Sequence, residues 1–195
     1  MWRFVLTWLL CSAAVAADEP AKNSRFYAGI GLAALEMDDA HRGIAFDDSA
    51  LVLVPYAGFR LRDNLDIEVA YLRADGLGPH DIPGSGVARL DIDERVETAV
   101  IRAVQRFSLS EWLEWRRSWQ LFGTVGYYRT DIYRTVTTLN TGARESLRRD
   151  EAGLALGTGV LYEAGPVELR GYVDWFGVLD DREAREAGVA VQLRF

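Results

Sequence analysis

The amino-acid sequence predicts an all-β fold, an eight-stranded antiparallel up-and-down transmembrane β-barrel. Three observations predict it. First, apolar and non-apolar side chains alternate over stretches of about ten residues, the length at which a tilted strand crosses a bilayer. Second, the non-apolar faces mix Gly, Ala and Tyr with charges of both signs, and Lys22 is the only lysine. A solvated face would carry a lysine-rich coating; small residues and mixed charges suit a narrow lumen. Third, the connections alternate between short and long, as they do when turns lie at one end of a barrel and loops at the other.

Residues 1–17, "MWRFVLTWLLCSAAVAA", precede the first alternation. They carry one early positive charge, Arg3, then an apolar run, then small residues, which is the layout of a secretory signal peptide. The competing reading, an anchoring helix, would need about 18 apolar residues. A lipoprotein signal would need a small residue just before Cys11, where Leu10 stands. The domain is therefore expected over 18–195. Removing the leader removes the one cysteine, which excludes disulfides and thiolate metal sites. It also makes the chain more acidic than its formal net charge of −7. An acidic secreted chain without a basic tract is a poor nucleic-acid partner.

The strands follow in order. In the first, 25–35, Phe26, Ala28, Ile30 and Leu32 share one face, and Tyr27, Gly29 and Gly31 the other. The second, 50–61, turns Leu51, Leu53, Pro55, Ala57 and Phe59 outward and Tyr56, Gly58 and Arg60 inward. Pro55 cannot donate to a ladder, so a bulge is expected there. After a tight "RDN" turn comes the third, 64–74, where Leu65, Ile67, Val69 and Tyr71 alternate with Asp66, Glu68, Ala70 and Leu72. In the fourth, 94–107, Arg102 and Arg106 share a parity and are placed inside, with Ala99, Ile101, Ala103 and Phe107 outside. The fifth, about 118–132, has no clear phase.

The sixth, 151–163, sets Leu154, Leu156, Val160 and Tyr162 against Gly153, Ala155, Gly157 and Gly159. The seventh, 167–177, is the clearest: Val167, Leu169, Val173 and Trp175 alternate with Glu168, Arg170, Tyr172 and Asp174. The eighth ends the sequence as "EAGVAVQLRF", with Ala187, Val189, Val191, Leu193 and Phe195 on one parity. A soluble sandwich would hide such apolar faces in a shared core. A membrane barrel turns them to lipid and its polar faces to the lumen. Closure is required, because hydrocarbon offers strand edges no hydrogen bonds.

Residues 36–49, 75–93 and 133–149 read as long polar loops, "RDN" and "EAGP" as short turns. The connection 108–118 departs from this pattern. Ser108 and Glu111 have capping-box spacing, and Trp112, Trp115 and Trp119 would line one stripe of a brief helix. Two readings stand: an interfacial anchor, since indoles settle at the membrane boundary, or a helix packed under the barrel. Phe195 joins these tryptophans as an expected interfacial aromatic.

The stretch "YAGFRLRDNLDIEVAYLRAD", 56–75, resembles the second and third strands of small OmpA-like, porin-family outer-membrane proteins, at Gly58, Phe59, Asp63, Asn64, Glu68 and Tyr71. "FYAGIGLAAL" is similar to their first strand, and the alternation ending in Phe195 to the signal read by the barrel-assembly machinery. The resemblance implies a barrel in the outer membrane of a Gram-negative bacterium. It departs from the family in two ways. No peptidoglycan-binding domain follows the barrel residues, so that role is not carried over. And Gly31 stands where the family's first strand has a lumenal lysine. The candidate lumenal charge network is instead Glu68, Arg102, Glu168, Arg170, Asp174 and Arg194, paired because isolated buried charges are costly.

Eight strands leave a lumen that side chains fill, which argues against a wide pore. Catalysis needs a nucleophile and base that meet. The two histidines, His41 and His80, fall in expected outer loops, with His80-Asp81 near Ser85, and no catalytic site is assigned. "EMDDA" and "FDDS" do not match a calcium loop, so no metal or cofactor is expected. Arg134, Arg144, Arg148 and Arg149 form the candidate contact to phosphorylated lipopolysaccharide, since guanidinium groups pair with phosphates. The expectation is a monomer in lipid, with a structural or surface-interaction role in membrane integrity or adhesion. A narrow porin is the alternative, and a lipid A-modifying enzyme the third reading.

Overall fold

The computed structural model describes residues 25–41, 44–78, 82–83, 89–109, 119–177 and 184–195. The expected leader, Trp112, Trp115, His80 and Ser85 lie outside them, as does the side chain of His41.

Eight long strands form the barrel: β1 (Phe26–His41), β2 (Ile44–Arg62), β3 (Leu65–Leu77), β5 (Arg89–Ser108), β6 (Trp119–Thr138), β7 (Ala143–Ala164), β8 (Val167–Phe176) and β9 (Ala184–Arg194). A two-residue strand, β4 (Ile82–Pro83), pairs with the start of β5. All pairings are antiparallel, each long strand lies between its neighbours, and β3 pairing with β5 closes the ring. The order is that of an up-and-down barrel. Its lower turns are tight: Asp63–Asn64 joins β2 to β3, and Gly165, at φ +68°, lets the chain reverse before Pro166 and β8.

The faces obey the inverted pattern. Phe26, Ile30, Leu53, Val69, Ile101, Val125, Leu169 and Val191 point outward and are each at least 41 % exposed. Their alternating neighbours Tyr27, Tyr56, Glu68, Arg102, Arg170 and Gln192 are buried. The outward apolar stretches on 26–34, 51–59, 154–162 and 187–195 each fit the 9–11 residues that a tilted strand needs to cross hydrocarbon. Aromatic rings mark the lower rim of this belt: Phe26 meets Phe59 at 4.8 Å between centroids, and Trp119 meets Tyr162 at 5.0 Å. Phe195 lies beside them in the ladder, its N–H donating to the Phe26 carbonyl at 3.1 Å.

Three expectations are corrected. The strands are longer than about ten residues, running to 22 in β7. Residues 36–49 and 133–149 are mostly paired strand rather than loop: β1 and β2 stay in register up to His41↔Ile44, and β6 and β7 up to Thr138↔Ala143. Above the belt β5 and β6 keep alternating, and Leu90, Ile92 and Val136 bury a small second core between them. Finally, the bulge is not at Pro55, which sits in regular register opposite Ile30. The register with β3 begins beside it, at Tyr56↔Ala70, so β1 loses no donor. The irregularity falls between Arg60 and Arg62 at the turn, leaving Leu61 exposed.

The unphased strand is settled by its burial. On β6, Phe122, Thr124, Tyr128, Thr130 and Ile132 face in; Leu121, Val125 and Tyr127 face out.

Candidate functional site

The lumen is layered. Its lower half is ionic. Glu68 on β3 accepts hydrogen bonds from Arg102 Nε at 2.6 Å, from Arg170 Nη1 at 2.7 Å and from the Tyr27 hydroxyl at 3.0 Å. Arg102 reaches on through Nη1 to Asp174 at 2.5 Å, and the Thr124 hydroxyl donates to the other Asp174 oxygen at 3.4 Å. Beneath lies a second set. Arg106 Nε donates to Asp66 at 2.7 Å, and its Nη1 to Glu168 at 3.2 Å. Glu168 is also met by Arg194 Nε at 2.7 Å and by the Gln192 amide, whose oxygen accepts from Tyr56 at 3.1 Å. Arg60 lies 3.4 Å from Asp66 at the lower rim.

Both sets place each buried carboxylate against at least one guanidinium, which offsets the cost of removing charge from water. Arg170 is additionally seated over the Phe122 ring, 4.2 Å from its centroid, with Tyr56 and Tyr172 further out. An aromatic face stabilises a desolvated cation.

Glycines make room for this packing. Tyr27 stands opposite Gly58 in the ladder, and Gly29 opposite Tyr56. A Cβ on Gly58 would overlap the Tyr27 ring, and one on Gly29 the Tyr56 ring. Each tyrosine thus lies across the glycine of the facing strand and sends its hydroxyl into the network. Gly31, on the same inward face, has the Tyr172 hydroxyl 3.0 Å from where a Cβ would sit.

The six expected network residues all lie in the ionic half of the lumen, Glu68, Arg102, Arg170 and Asp174 in the upper set and Glu168 and Arg194 in the lower, the two meeting through Tyr56, whose ring lies beside Arg170 and whose hydroxyl donates to Gln192. The reading from sequence left out Asp66, Arg106, Arg60, Gln192 and the two tyrosines. The signal for Asp66 and Arg106 was present, since they share the parity of Glu68 and Arg102; so was that of Arg60, which the alternation of β2 turned inward.

The upper half of the lumen differs from the expected polar filling. It holds Leu35, Val52, Val54, Leu72, Val96 and Ile132, all buried. Once the charges are paired in one layer, the remaining closed interior is a dry core and takes apolar side chains. Within this layer, level with Leu72, Thr98 and Thr130 share a hydrogen bond of 2.8 Å, and above it Glu94 pairs with Arg134. Toward β8 and β9 the Tyr172 hydroxyl donates to buried Glu186 at 2.6 Å.

The four candidate lipopolysaccharide arginines do not form one patch. Arg134 turns inward to Glu94. Arg149 sits on the inner parity of β7 and pairs with Glu151 at 2.7 Å, while Arg144 is exposed near the hairpin tip. Only Arg148 belongs to an outward row just above the apolar belt. Its neighbours there are Arg73 on β3 and Arg95 on β5, which sequence reasoning missed although both fall inside the expected strands 64–74 and 94–107, because alternation does not give the height at which a residue lies. Arg95 and Arg148 both lie over the Tyr133 ring, 4.5 and 5.1 Å from its centroid. Carboxylates alternate with them: Arg73–Asp75 at 2.8 Å, Arg95–Glu97 at 3.5 Å and Arg148–Asp131 at 3.1 Å. The Asp131 hydrogen bond holds the Arg148 pKa above its ordinary value. A cleft of about 590 Å³ opens between these side chains.

Among the described residues no group of three or more His, Cys, Asp and Glu side chains could hold a metal ion.

No family model matches the chain, and no curated protein matches it in sequence. Solved structures do. Ail, the attachment invasion locus protein of Yersinia pestis, superposes with a TM-score of 0.56 at 12 % identity, over 88 % of this chain and 99 % of Ail. Neisserial surface protein A gives 0.53 at 18 % identity, over 87 % and 97 %. The N-terminal β-barrel domain of Pseudomonas aeruginosa OprF gives 0.54 at 14 % identity, over 89 % and 100 %. At these identities the likeness is one of fold: the chain has the fold of the small outer-membrane β-barrels.

Proposed function

We propose that this chain is an outer-membrane barrel with a structural and surface-contact role, and that its outward arginine row meets the phosphates of lipopolysaccharide. The observation that carries the proposal is the vertical order of the outer face. An apolar belt of bilayer height ends, and Arg73, Arg95 and Arg148 begin, at the depth where lipid headgroups lie. Guanidinium groups bind phosphate oxygens bidentately, and the interleaved carboxylates keep the row from repelling itself. The paired charges across the lower lumen support a closed barrel rather than a conducting one. A closed ring leaves no long strand edge through which a second copy could extend the sheet, which supports a monomer. No catalysis is assigned to it. The name of Ail, an attachment protein of the same fold, supports adhesion as the outward role.

The test replaces Arg73, Arg95 and Arg148 together by alanine. Lipopolysaccharide retained through purification is expected to fall several-fold, while Arg134→Ala leaves it unchanged. Equal retention by the triple variant would remove the headgroup contact. Regular current steps in planar bilayers would favour a porin, and an altered lipid A mass on deleting the gene would favour an enzyme.

A further inference from the structure

The cleft of about 590 Å³ lies on the outer wall, above the apolar belt, across β3, β5, β6 and β7. Two rungs of the sheet supply its polar groups. The lower runs Asp75↔Arg95↔Tyr133↔Arg148, and the upper Asp93↔Thr135↔Ser146. Neighbouring strands stand about 4.8 Å apart, and two residues along a strand span about 7 Å. The two rungs therefore frame an area that fits a sugar ring and one substituent.

The rungs differ in chemistry. On the lower one the Tyr133 ring holds both the Arg95 and the Arg148 guanidinium beside it. Asp75 is already engaged by Arg73, through Nε at 2.8 Å and Nη2 at 3.0 Å. Arg148 spends one N–H on Asp131, and a guanidinium has five. Donors are left over for an anion. On the upper rung, among the described residues, nothing bonds to the Asp93 carboxylate or to the hydroxyls of Thr135 and Ser146. A bare phosphate would suit the lower rung and be repelled by Asp93. A neutral sugar would suit the upper rung and bring the two guanidiniums no anion. Hydroxyls above and a negative group below satisfy both.

We propose that this cleft binds an anionic sugar of a membrane-anchored glycolipid, its hydroxyls on Asp93, Thr135 and Ser146 and its carboxylate or phosphate on Arg95 and Arg148. The proposal deepens the lipopolysaccharide reading above and rests on it. The upper rung stands one step further from hydrocarbon than the arginines, on the side where the sugars of such a lipid follow its headgroup phosphates. Asp93 and its two hydroxyl neighbours then decide which lipid is preferred.

The test presents the full chain in detergent micelles with equal amounts of lipid A and of lipopolysaccharide cut back to lipid A and its first acidic sugars. Lipid retained through repurification is measured by mass spectrometry. The unaltered chain is expected to prefer the sugar-bearing lipid by about fivefold, the ratio that one net hydrogen bond gives. D93N combined with T135V and S146A is expected to remove that preference, with the folded band on unheated gels showing that the variant is still a barrel. D93N alone, which removes only the charge, is expected to lower the ratio in the same direction. The deacylated sugar portion, added in excess, is expected to displace the sugar-bearing lipid down to the level of lipid A. Equal retention of the two lipids by the unaltered chain, an unchanged ratio in the triple variant, or no displacement by the free sugar overturns the proposal. The amount of lipid A lost when Arg73, Arg95 and Arg148 are replaced reports the phosphate contact, whereas the ratio of the two lipids reports the cleft, so the two readings fail on different numbers.

Discussion

Glu68 and Arg170 stand 102 positions apart in sequence and 2.7 Å apart across the lumen. The carboxylate comes from β3 and the guanidinium from β8, so their contact bridges opposite sides of the barrel rather than neighbouring strands. Arg102 completes the bridge from β5 by holding the other oxygen of Glu68. The plug is therefore a cross-brace as well as a stopper.

Removing one member of a buried ion pair is more damaging than removing both, because it strands a charge without its partner. Glu68→Ala leaves Arg170 against aromatic rings and Arg102 with Asp174 alone. A loss of about 3–5 kcal/mol is expected. Urea titration in detergent, read by the folded band on unheated gels, measures it. Glu68→Leu combined with Arg170→Met should cost less than Glu68→Ala alone. A double variant as unstable as the sum of its parts would show that the two residues do not act as a pair.

The facing of Tyr27 and Gly58 gives a second expectation. A Cβ at Gly58 would overlap the Tyr27 ring, whose hydroxyl is committed to Glu68. Gly58→Ala must push the ring aside and is expected to lower stability by about 1–3 kcal/mol, the usual range for overpacking. In a Tyr27→Ala background the same substitution should be close to neutral, because the overlap is gone. The thermodynamic cycle of the four proteins reads this coupling directly.

What could be read in advance follows from what alternation encodes. A period of two gives the face of each residue relative to its neighbours, so strands with strong contrast, such as Glu168–Arg170–Asp174 against Leu169–Val173–Trp175, were placed from sequence. It does not give height. Nor does it speak where no strand is expected: Arg134 and Arg148 both lie in the stretch read as loop, and on adjacent rungs one turns in to buried Glu94 while the other stands over Tyr133 on the outer surface. Height also hid the layering. The phase of β2 turned Leu51 and Leu53 outward, as they are, but that the inward Val52 and Val54 belong to an apolar layer above the ionic one depends on height. Pro55 was seen as an exception in its strand, but where its missing donor would fall depended on which neighbour ended there.

The inversion of faces yields the most discriminating expectation. Val191 lies at the middle of the outward stretch 187–195 and is 46 % exposed, whereas its neighbour Gln192 is 1 % exposed in the lumen. In water, a charge in place of an exposed valine would be nearly neutral. In a bilayer, an arginine at midplane on the lipid face costs about 2–4 kcal/mol, falling to about 0–1 near the interface. Val191→Arg should therefore destabilise the barrel in vesicles by several times the cost of Phe195→Arg at the rim. Reversible unfolding in lipid vesicles, followed by tryptophan fluorescence, measures both. Equal, small losses at the two positions would mean that Val191 does not face hydrocarbon. A depth-graded loss ties the belt to the bilayer, because only a low-dielectric layer of finite thickness makes the same charge cost more at the middle of a strand than at its end.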